Sequence, residues 1–264
     1  MPFPPGDFLD GALAAGGVPP SLDALNLLRD ASHCTTSGLP IRFVRDAPAA
    51  DAAEGYEERT WRSGEVPVRN ANWHDAFNAL AWIAYPRTKR ALNRLHHEHV
   101  AAAPSAPAGS RGVVRDVLTL FDEDGLLVAC ADPGLAALLA NFRWKELFWE
   151  QRDAVARSMR FHVFGHALAD KLRAPFRGLT AKALVLAVDA RELERPQGEQ
   201  AAALDARAAE WFCQPASLSS TRMLSPLPVL GIPGWHAGNA HVEYYDDSWQ
   251  FRPGRRSRGV HSTS

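Results

Sequence analysis

The stretch WHDAFNALAWIA, residues 73–84, decides the class of fold that this chain is expected to adopt. Its apolar side chains recur at helical spacing and trace one face of an α-helix: Trp73, Phe77, Leu80 and Ala84. Pro86 then ends or kinks the helix, and residues 87–99 resume the helical period. A helix with one complete apolar face packs against a core, so we expect a globular, helix-rich protein.

Downstream of this helix the pattern predicts a loop, a hairpin and another helix. Residues 101–112 are rich in Ala, Pro, Gly and Ser, which predicts a flexible loop. Two apolar runs joined by the turn sequence DEDG predict a β-hairpin over residues 117–130. Asp132 and Pro133 form a typical helix start, and this helix is expected to reach Arg152.

Further elements are predicted on both sides of this region. Helical spacing predicts helices over residues 161–172 and 197–211, whereas residues 181–188 fit either a buried helix or a strand. Near the start of the chain, residues 21–31 predict a short helix capped by a serine. Residues 39–44, LPIRFV, are β-branched and aromatic enough to predict a strand.

These elements predict an α+β fold, a mainly helical single domain with a small sheet or hairpin and an extended C-terminal arm. The domain is expected to span residues 1–264, with its core at about 20–253 and a flexible tail at 254–264. Residues 226–253 should be ordered against the body, because they hold too much apolar surface to leave in water. One core is expected to contain Phe77, Leu80, Phe142, Phe148, Phe164 and Leu168.

The composition excludes several classes of protein. A chain of 264 residues with 46% hydrophobic and 22% charged side chains is too apolar for intrinsic disorder. A formal net charge of -1 creates no overall attraction for polyanions, so nucleic-acid binding is not favoured and would need a local patch. The predicted partner is an unidentified small molecule or anion, and no membrane partner is expected.

The cysteines and the N-terminal residues bear on the compartment. Three widely spaced cysteines, Cys34, Cys130 and Cys213, indicate neither a disulfide framework nor a clustered zinc site. The first residues lack the basic region and apolar run of a secretory signal, and no stretch of about 18 apolar residues follows. The sequence therefore predicts a soluble cytoplasmic protein.

The start of the helix at residue 73 carries the first candidate site. Helical geometry places His74 and Asn78 together, away from the apolar face, with Asp75 one step further round. These three residues are the candidate catalytic group, with His74 as general base or metal ligand. The alternative is that Asn72 or Asp75 caps the helix and that His74 makes an ordinary hydrogen bond.

A second candidate site lies in the predicted helix over residues 161–172. His162 and His166 are one helical turn apart, and Asp170 follows after another turn, so the three could bind a divalent metal ion such as zinc. Val163 stands where the zincin signature has a glutamate, which weakens the motif. The alternative is a polar helix face or a buried hydrogen-bonded pair. We expect both histidines to face the same cavity as His74.

Six further residues are candidate ligand-binding groups around that cavity: Trp73, Arg115, Asp116, Trp235, His236 and Asn239. The last three would approach His74 if the C-terminal arm docks over its helix. An ordinary charged face near Arg115 and core packing of the tryptophans are the alternatives. The chain lacks the nucleophile elbow, the P-loop and the dinucleotide-binding glycine fingerprint, which disfavours the common enzymes that use them.

Several strings together resemble the bacterial Domain of Unknown Function 3025 family. They are VPVRNANWHDAFNALAWIAYPRTKRALNRLH (66–96), RDVLTLFDEDG (115–125), FRWKELFWEQR (142–152), FGHALADKL (164–172), LPVLGIPGWHAGN and YYDDSWQFRP. The resemblance covers roughly residues 40–253 and implies a bacterial, cytosolic, single-domain protein. It carries over no catalytic residues, because the family has no assigned function.

Two hypotheses of function follow from the sequence. The first is a metal-assisted hydrolase or nuclease that uses a His/Asp/Asn site. The alternative is a non-catalytic binding module with an aromatic and arginine-rich cleft for a small anion, nucleic acid or a partner protein. A metal shared by the two histidine groups would favour the enzyme, whereas a large distance between the groups would favour binding.

Overall fold

A computed structural model of the chain describes residues 17–46, 55–102 and 112–254. The loop predicted over residues 101–112 falls mostly outside these ranges, and so does the tail after residue 254. Within them the structure is an α+β fold of many short helices and two small sheets. No helix in the described part of the chain is both long and apolar enough to cross a bilayer.

The N-terminal part forms a small parallel sheet with two helices beside it. Its elements are helix α1 (Leu22–Leu27), strand β1 (Arg42–Arg45), helix α2 (Tyr56–Ser63) and strand β2 (Glu65–Val68). Strand β1 pairs with β2. Ser21 caps α1 as predicted, since its hydroxyl accepts from the amide of Ala24, but the helix ends at Leu27, before the expected residue 31.

Three consecutive helices follow: α3 (Trp73–Ala84), α4 (Pro86–Ala102) and α5 (Val113–Asp124). The bounds predicted for α3 are confirmed, and Asn72 caps it by accepting from the amide of Asp75. A buried carboxylate from a distant helix, Asp205, accepts hydrogen bonds from the amides of Arg87 and Thr88 at the start of α4. Helix α4 is therefore fixed at its N-terminal end by tertiary contact rather than by a local cap.

The larger sheet has four strands in the order β4-β3-β5-β6. They are β3 (Gly125–Cys130), β4 (Met159–Val163), β5 (Thr180–Ala187) and β6 (Ser225–Pro228), and only β3 and β5 run parallel. The helices around this sheet are α6 (Pro133–Ala140), α7 (Arg152–Ser158), α8 (His166–Leu172) and α9 (Gln197–Phe212). The helix predicted over residues 197–211 is confirmed. Residues 181–188, which fit either a helix or a strand by sequence, lie mostly in strand β5.

The hairpin predicted over residues 117–130 is wrong. Its first half is helix α5, and only its second half is a strand. Val117, Leu118 and Phe121 are all buried and follow a helical period as well as a strand-like run. Gly125 marks the change, because a side chain there would meet the carbonyl oxygen of Phe121 at 2.3 Å.

Two predicted helices are also wrong in their extent. The segment 161–172 is strand β4 followed by helix α8, because pairing with β3 holds residues 159–163 extended. The helix from Pro133 ends at Ala140 instead of reaching Arg152, because Phe142 takes a left-handed backbone conformation with φ 59°. A π-helical turn over Glu146–Glu150 separates it from α7.

Hydrophobic residues form two cores, on opposite faces of the central strand β3. Leu126 and Val128 belong to one core, which includes Phe77, Leu80, Phe148 and Leu168. Leu127 and Ala129 belong to the other, which includes Phe164. The expectation of one core is therefore wrong, because alternate residues of a buried strand point to opposite faces. Phe142 is half-buried at the edge of the first core.

The C-terminal arm packs against the body as expected. It consists of short 3-10 turns and strand β6, and its buried side chains include Leu227, Val229, Leu230, Ile232, Trp235, Tyr245 and Phe251. Trp249 is the exception, with 58% of its surface exposed. Its ring lies under the guanidinium of Arg252, at 4.6 Å, which explains how a tryptophan is kept at the surface.

Candidate metal centre

Three helix ends bring two histidines and a glutamate together. His74 lies in the first turn of α3, Glu123 in the last turn of α5, and His166 is the first residue of α8. One potential ligand atom from each of the three lies within 4.8 Å of the others. The His166 Nε2 is 3.4 Å from the Glu123 Oε2, and the two imidazole rings are 4.5 Å apart, edge to face.

A close backbone approach places His166 over Glu123. Strand β4 ends at Val163, and the amide of Gly165 donates to the carbonyl oxygen of Gly125, at 2.8 Å. A side chain at Gly165 would lie 2.3 Å from the Glu123 carbonyl oxygen, so only glycine fits there. This glycine lets helix α8 begin directly against the end of α5.

The state of the His166 imidazole suits a metal ligand. Burial lowers its pKa to about 4, despite the opposing charge of Asp122, so the ring is neutral at neutral pH. Its Nδ1 is buried and makes no hydrogen bond within the described residues, and the nearest carboxylate oxygen of Asp122 is 3.8 Å away. One ring nitrogen thus faces Glu123 and the other faces Asp122.

Behind His166 lies a buried polar chain that runs between the helices. The Lys89 ammonium donates to Asp122 at 2.6 Å and to Asn78 at 2.8 Å, and it lies over the Trp82 ring. The Asn78 amide in turn donates to the Tyr56 hydroxyl, at 2.9 Å. Asn78 therefore supports the lysine that holds Asp122, and reaches the candidate centre only through them.

Lys89 and Asp122 form a buried ion pair. Burial alone would raise the pKa of Asp122, but the charge of Lys89 and its hydrogen bond outweigh burial and lower that pKa. The pKa of Lys89 is raised because the negative charges around it outweigh its own burial. Both groups are charged at neutral pH, and Asp122 presents a fixed carboxylate to His166.

Asp75 lies beside His74 in the chain but takes part in a different contact. Its carboxylate accepts two hydrogen bonds from the Arg69 guanidinium, at 2.8 and 2.7 Å, and one from the Arg69 amide. These bonds outweigh the effect of burial and lower the pKa of Asp75. Asp75 thus ties the segment after β2 to the start of α3.

His162 and Asp170 do not join the cluster. His162 lies on strand β4, where it pairs in register with Leu127, and its neighbour is Gln200 of α9. Burial lowers the pKa of His162 to about 4. Asp170 forms an ion pair with Arg173 at 3.1 Å. The helical spacing that predicted a shared site for His162 and His166 is wrong, because a strand and a glycine separate them.

The predicted binding residues are also dispersed. Trp73 packs on Phe77 and under the Arg173 guanidinium, at 4.5 Å. Arg115 and Asp116 lie in the first turn of α5, about two turns before Glu123. They are candidate binding groups by position only.

The three predicted binding residues of the C-terminal arm contact other parts of the arm and the sheet. Trp235 packs against Phe161, and His236 stacks on Tyr244. The Asn239 amide donates to the carbonyl oxygens of Leu230 and Ile232, and its own carbonyl oxygen accepts from Arg152. These contacts organise the arm, and the His74, Glu123 and His166 cluster includes none of the three.

Sequence reasoning missed Glu123, Asp122 and Lys89. The DEDG string was expected to be a hairpin turn, whereas it is the end of a helix. Three carboxylates in the last turn of a helix are unfavourable next to its negative dipole end, so their presence indicates that cations must face them. Lys89 and Lys171 supply those charges, each at 2.6 Å from a carboxylate oxygen. A correct helix prediction for residues 113–124 would have exposed this signal.

Comparison with known families gives a match over most of the chain. The model of a family described as "Protein of unknown function (DUF3025)" matches residues 41–255, a range that includes all three residues of the cluster and every core residue outside α1. No curated protein and no solved structure matches the chain. The chemistry must therefore be inferred from the geometry.

Proposed function

Since the chain belongs to the DUF3025 family, whose function is unknown, we propose from its geometry that it is a metal-assisted hydrolase. His74, Glu123 and His166 hold the divalent ion. The observation that carries this proposal is the convergence of two imidazoles and one carboxylate within 4.8 Å, from three separate helix ends. Asp75, Asn78, His162 and Asp170 are not ligands in this proposal.

The donor set fits a catalytic zinc ion better than a structural one. Catalytic zinc is commonly held by three protein ligands such as two histidines and a glutamate, with the fourth position left to water. When bound, such an ion lowers the pKa of its water to about 7 and polarises an ester or amide carbonyl or a phosphoryl group. Two histidines and one carboxylate also suit iron(II), so the identity of the metal is part of the test.

The surrounding residues orient the ligands. The nearest Asp122 oxygen lies 3.8 Å from the His166 Nδ1, so a carboxylate stands on that side of the ring and the Nε2 is on the side of Glu123. The second oxygen of Asp122 is held by Lys89, so the carboxylate cannot rotate away. Such carboxylate–histidine arrangements fix the tautomer and raise the basicity of the ligand.

The exposure of the three ligands sets the direction of substrate access. His166 is buried, whereas 40% of the Glu123 side chain is exposed and His74 is half-buried. The cluster is therefore closed on the Asp122 side and open on the His74 and Glu123 side. Substrate and water approach from that open side.

The compartment is inferred from the cysteines. All three are free thiols, and Cys213 is exposed while Cys34 is half-buried. Free accessible thiols persist in a reducing environment, which supports the cytoplasmic location that the sequence predicted. The bacterial source implied by the family resemblance belongs to the same proposal.

Metal titration of the full-length protein tests the ligand set. The chelator-treated protein is titrated with Zn²⁺, Co²⁺, Mn²⁺ and Fe²⁺, and binding is followed by calorimetry and by the visible spectrum of Co²⁺. We expect one tight site that His74→Ala, Glu123→Gln and His166→Ala each weaken by at least about tenfold. His241→Ala and Glu150→Gln remove one exposed histidine and one exposed glutamate and serve as matched controls. Unchanged binding in the three ligand variants contradicts the proposed site.

Hydrolysis is tested separately from binding. The zinc-loaded protein is assayed on a panel of carboxylic esters, phosphate monoesters and phosphodiesters, with the stripped protein and the Glu123→Gln variant as controls. Turnover that requires both metal and Glu123 supports a hydrolase. A strong preference for iron(II), with no hydrolysis of any ester in the panel, contradicts it and leaves the metal site intact.

A further inference from the structure

A large basic cleft lies elsewhere on the molecule. It has a volume of about 1370 Å³. Its walls are formed by residues of the paired strands β5 and β6, of the segment after α6 and of the end of the described chain. Its lining includes three cations, two aromatic rings and a glutamine: Lys182, Arg222, Arg252, Phe142, Trp144 and Gln250. None of these residues belongs to the candidate metal centre.

The cleft is positive although the chain as a whole is not. No aspartate or glutamate is among the described residues that line it, whereas the whole chain has a net charge of -1. Lys182, Arg222 and Arg252 form no ion pair with a carboxylate within residues 17–46, 55–102 and 112–254. Other cations near the C-terminal arm are paired, such as Lys145 with Asp246 and Arg177 with Asp247. The three unpaired charges therefore leave a local positive potential for an anion.

A buried donor in the cleft points to a ligand independently of the charges. Gln250 is only 4% exposed, and its Nε2 makes no hydrogen bond in the part of the chain that the structure describes. Its Oε1 accepts a long bond from the Gly178 amide, and its carboxamide lies beside the Tyr244 hydroxyl. A buried donor without an acceptor is unfavourable, and an acceptor supplied by a ligand would satisfy it.

The walls of the cleft are fixed before any ligand arrives. The Arg252 guanidinium is held by the Trp249 ring and by a hydrogen bond from its Nε to the Trp249 carbonyl oxygen, at 3.1 Å. The Trp144 indole donates to the Arg252 carbonyl oxygen, at 2.9 Å. Phe142 has a positive φ of 59°, which is uncommon for an aromatic residue and occurs where local structure imposes it. Its ring packs where a side chain on Gly254 would lie.

We propose that this cleft binds a phosphorylated organic ligand. Its lining offers cations and unpaired donors, and a phosphate group offers several acceptor oxygens and up to two negative charges. Arginine side chains match phosphate oxygens well because their N–H groups form a planar fork. The volume exceeds the range of about 300–1,000 Å³ that is usual for small-molecule pockets, so a nucleotide or several units of a single strand fit. A free nucleotide and a nucleic-acid strand would both be bound through their phosphate groups.

The proposal is tested by titration of the full-length protein in the presence of EDTA, which removes any contribution from a bound metal. The probes are pyrophosphate, adenosine triphosphate and a fluorescein-labelled ten-nucleotide thymidine strand, each at low and at physiological salt. Binding should weaken by about tenfold or more in Lys182→Ala and in Arg222→Ala, as expected when a hydrogen bond to a charged group is lost. Gln250→Leu should weaken it as well.

Arg157→Ala is the matched control, because Arg157 is an exposed arginine of α7 outside the cleft. It should change the affinity by less than about twofold if binding is local to the cleft. Glu123→Gln should leave binding unchanged, which separates this proposal from that of the metal site. Tight binding of the triphosphate alone identifies a mononucleotide site, and binding of the strand as well identifies a strand site.

Two results would overturn the proposal. One is that no probe binds at concentrations up to about 1 mM, the weakest affinity that a specific site of this kind should show. The other is that Arg157→Ala weakens binding as much as the two cleft variants, because the attraction is then a diffuse charge effect. Circular dichroism and thermal melting of each variant establish that it is folded before its affinity is compared.

Discussion

The candidate metal centre and the basic cleft handle charge in opposite ways. At the metal centre the carboxylates of Asp122 and Asp124 are each paired with a lysine, at 2.6 Å. In the cleft Lys182, Arg222 and Arg252 are not paired with carboxylates of the described chain. One region balances its charges within the fold, whereas the other leaves its charges for a ligand.

The paired charges of the metal centre hold side chains in position, whereas the unpaired charges of the cleft are available to bind a ligand. A buried pair such as Lys89 and Asp122 loses hydration, so removing one member leaves the other uncompensated in a medium of low dielectric constant. The cations of the cleft stay in contact with water, so their loss changes ligand affinity far more than stability. The predictions below test this contrast, in order of the expected change in the free energy of unfolding.

Lys89→Met should produce the largest change. The substitution leaves the buried carboxylate of Asp122 without its cation and Asn78 without its donor, and breaking a buried pair in this way costs about 3–5 kcal/mol. The matched change in the cleft, Lys182→Met, should alter the free energy of unfolding by no more than about 0.5 kcal/mol. Urea titration followed by circular dichroism measures both. Equal losses in the two variants would remove the contrast between the regions.

Acid should destabilise the protein through its buried histidines, and His162 offers a clean test. Burial lowers its pKa to about 4 from an ordinary 6.5, helped by the charge of Arg160 and opposed by a hydrogen bond with Gln200. The unfolded chain therefore takes up the proton first, and stability falls as the pH is lowered from about 6.5 to about 4. Each unit of pKa difference is worth about 1.4 kcal/mol, which sets an upper limit of about 3–4 kcal/mol for this residue.

His162→Gln should flatten part of that pH dependence. The remaining slope should persist, because His96 is buried too and has its pKa lowered to about 4. His241→Gln, at an exposed histidine, should leave the curve unchanged. Urea titrations at a series of pH values between 4 and 7 make the measurement. A curve for His162→Gln that overlays the wild type would show that His162 is not held neutral by the fold.

Asp75→Asn should have a smaller effect and should not reach the metal. It removes the charge that holds Arg69, whose side chain is more than half exposed, so a loss of about 1 kcal/mol is expected. Metal affinity should stay within about threefold of the wild type, because Asp75 is directed towards Arg69. Thermal melting and the Co²⁺ titration test the two statements. A large loss of metal binding with little loss of stability would show that Asp75 is a metal ligand, contrary to this prediction.

Helix α3 could be predicted to the residue because all its signals are local. An apolar face at helical spacing, the Asn72 cap and Pro86 two residues after its end lie within a short stretch of chain. Strand β3 has no such signal. All six of its residues are buried, so no alternation of polar and apolar side chains separates it from the end of α5.

Two of the three residues of the candidate site could be predicted, because their signals are local, and the third could not. His74 and His166 stood out as polar residues beside apolar faces, and the structure brings their rings together. Glu123 did not stand out, because its role depends on the contact between the end of α5 and Gly165. That contact joins residues about forty positions apart, and no periodicity within either segment encodes it. His162 shows the converse error, in which a regular spacing spans a strand and a helix.

Gln250→Leu should produce only a small change in stability, and it tests whether this side chain serves the cleft or the fold. Leucine has a similar size and no amide, so the buried Nε2 without an acceptor disappears together with the long bond from the Gly178 amide. Removing the donor that has no acceptor stabilises the fold, whereas losing the bond from the Gly178 amide destabilises it. The free energy of unfolding should therefore stay within about 1 kcal/mol of the wild type. Thermal melting measures this, and the titration with adenosine triphosphate should show weaker binding in the same variant. A variant that loses several kcal/mol but binds normally would make Gln250 a structural residue of the arm. We expect normal stability with weakened binding, which would show that the Gln250 amide contributes to ligand affinity and not to the stability of the fold.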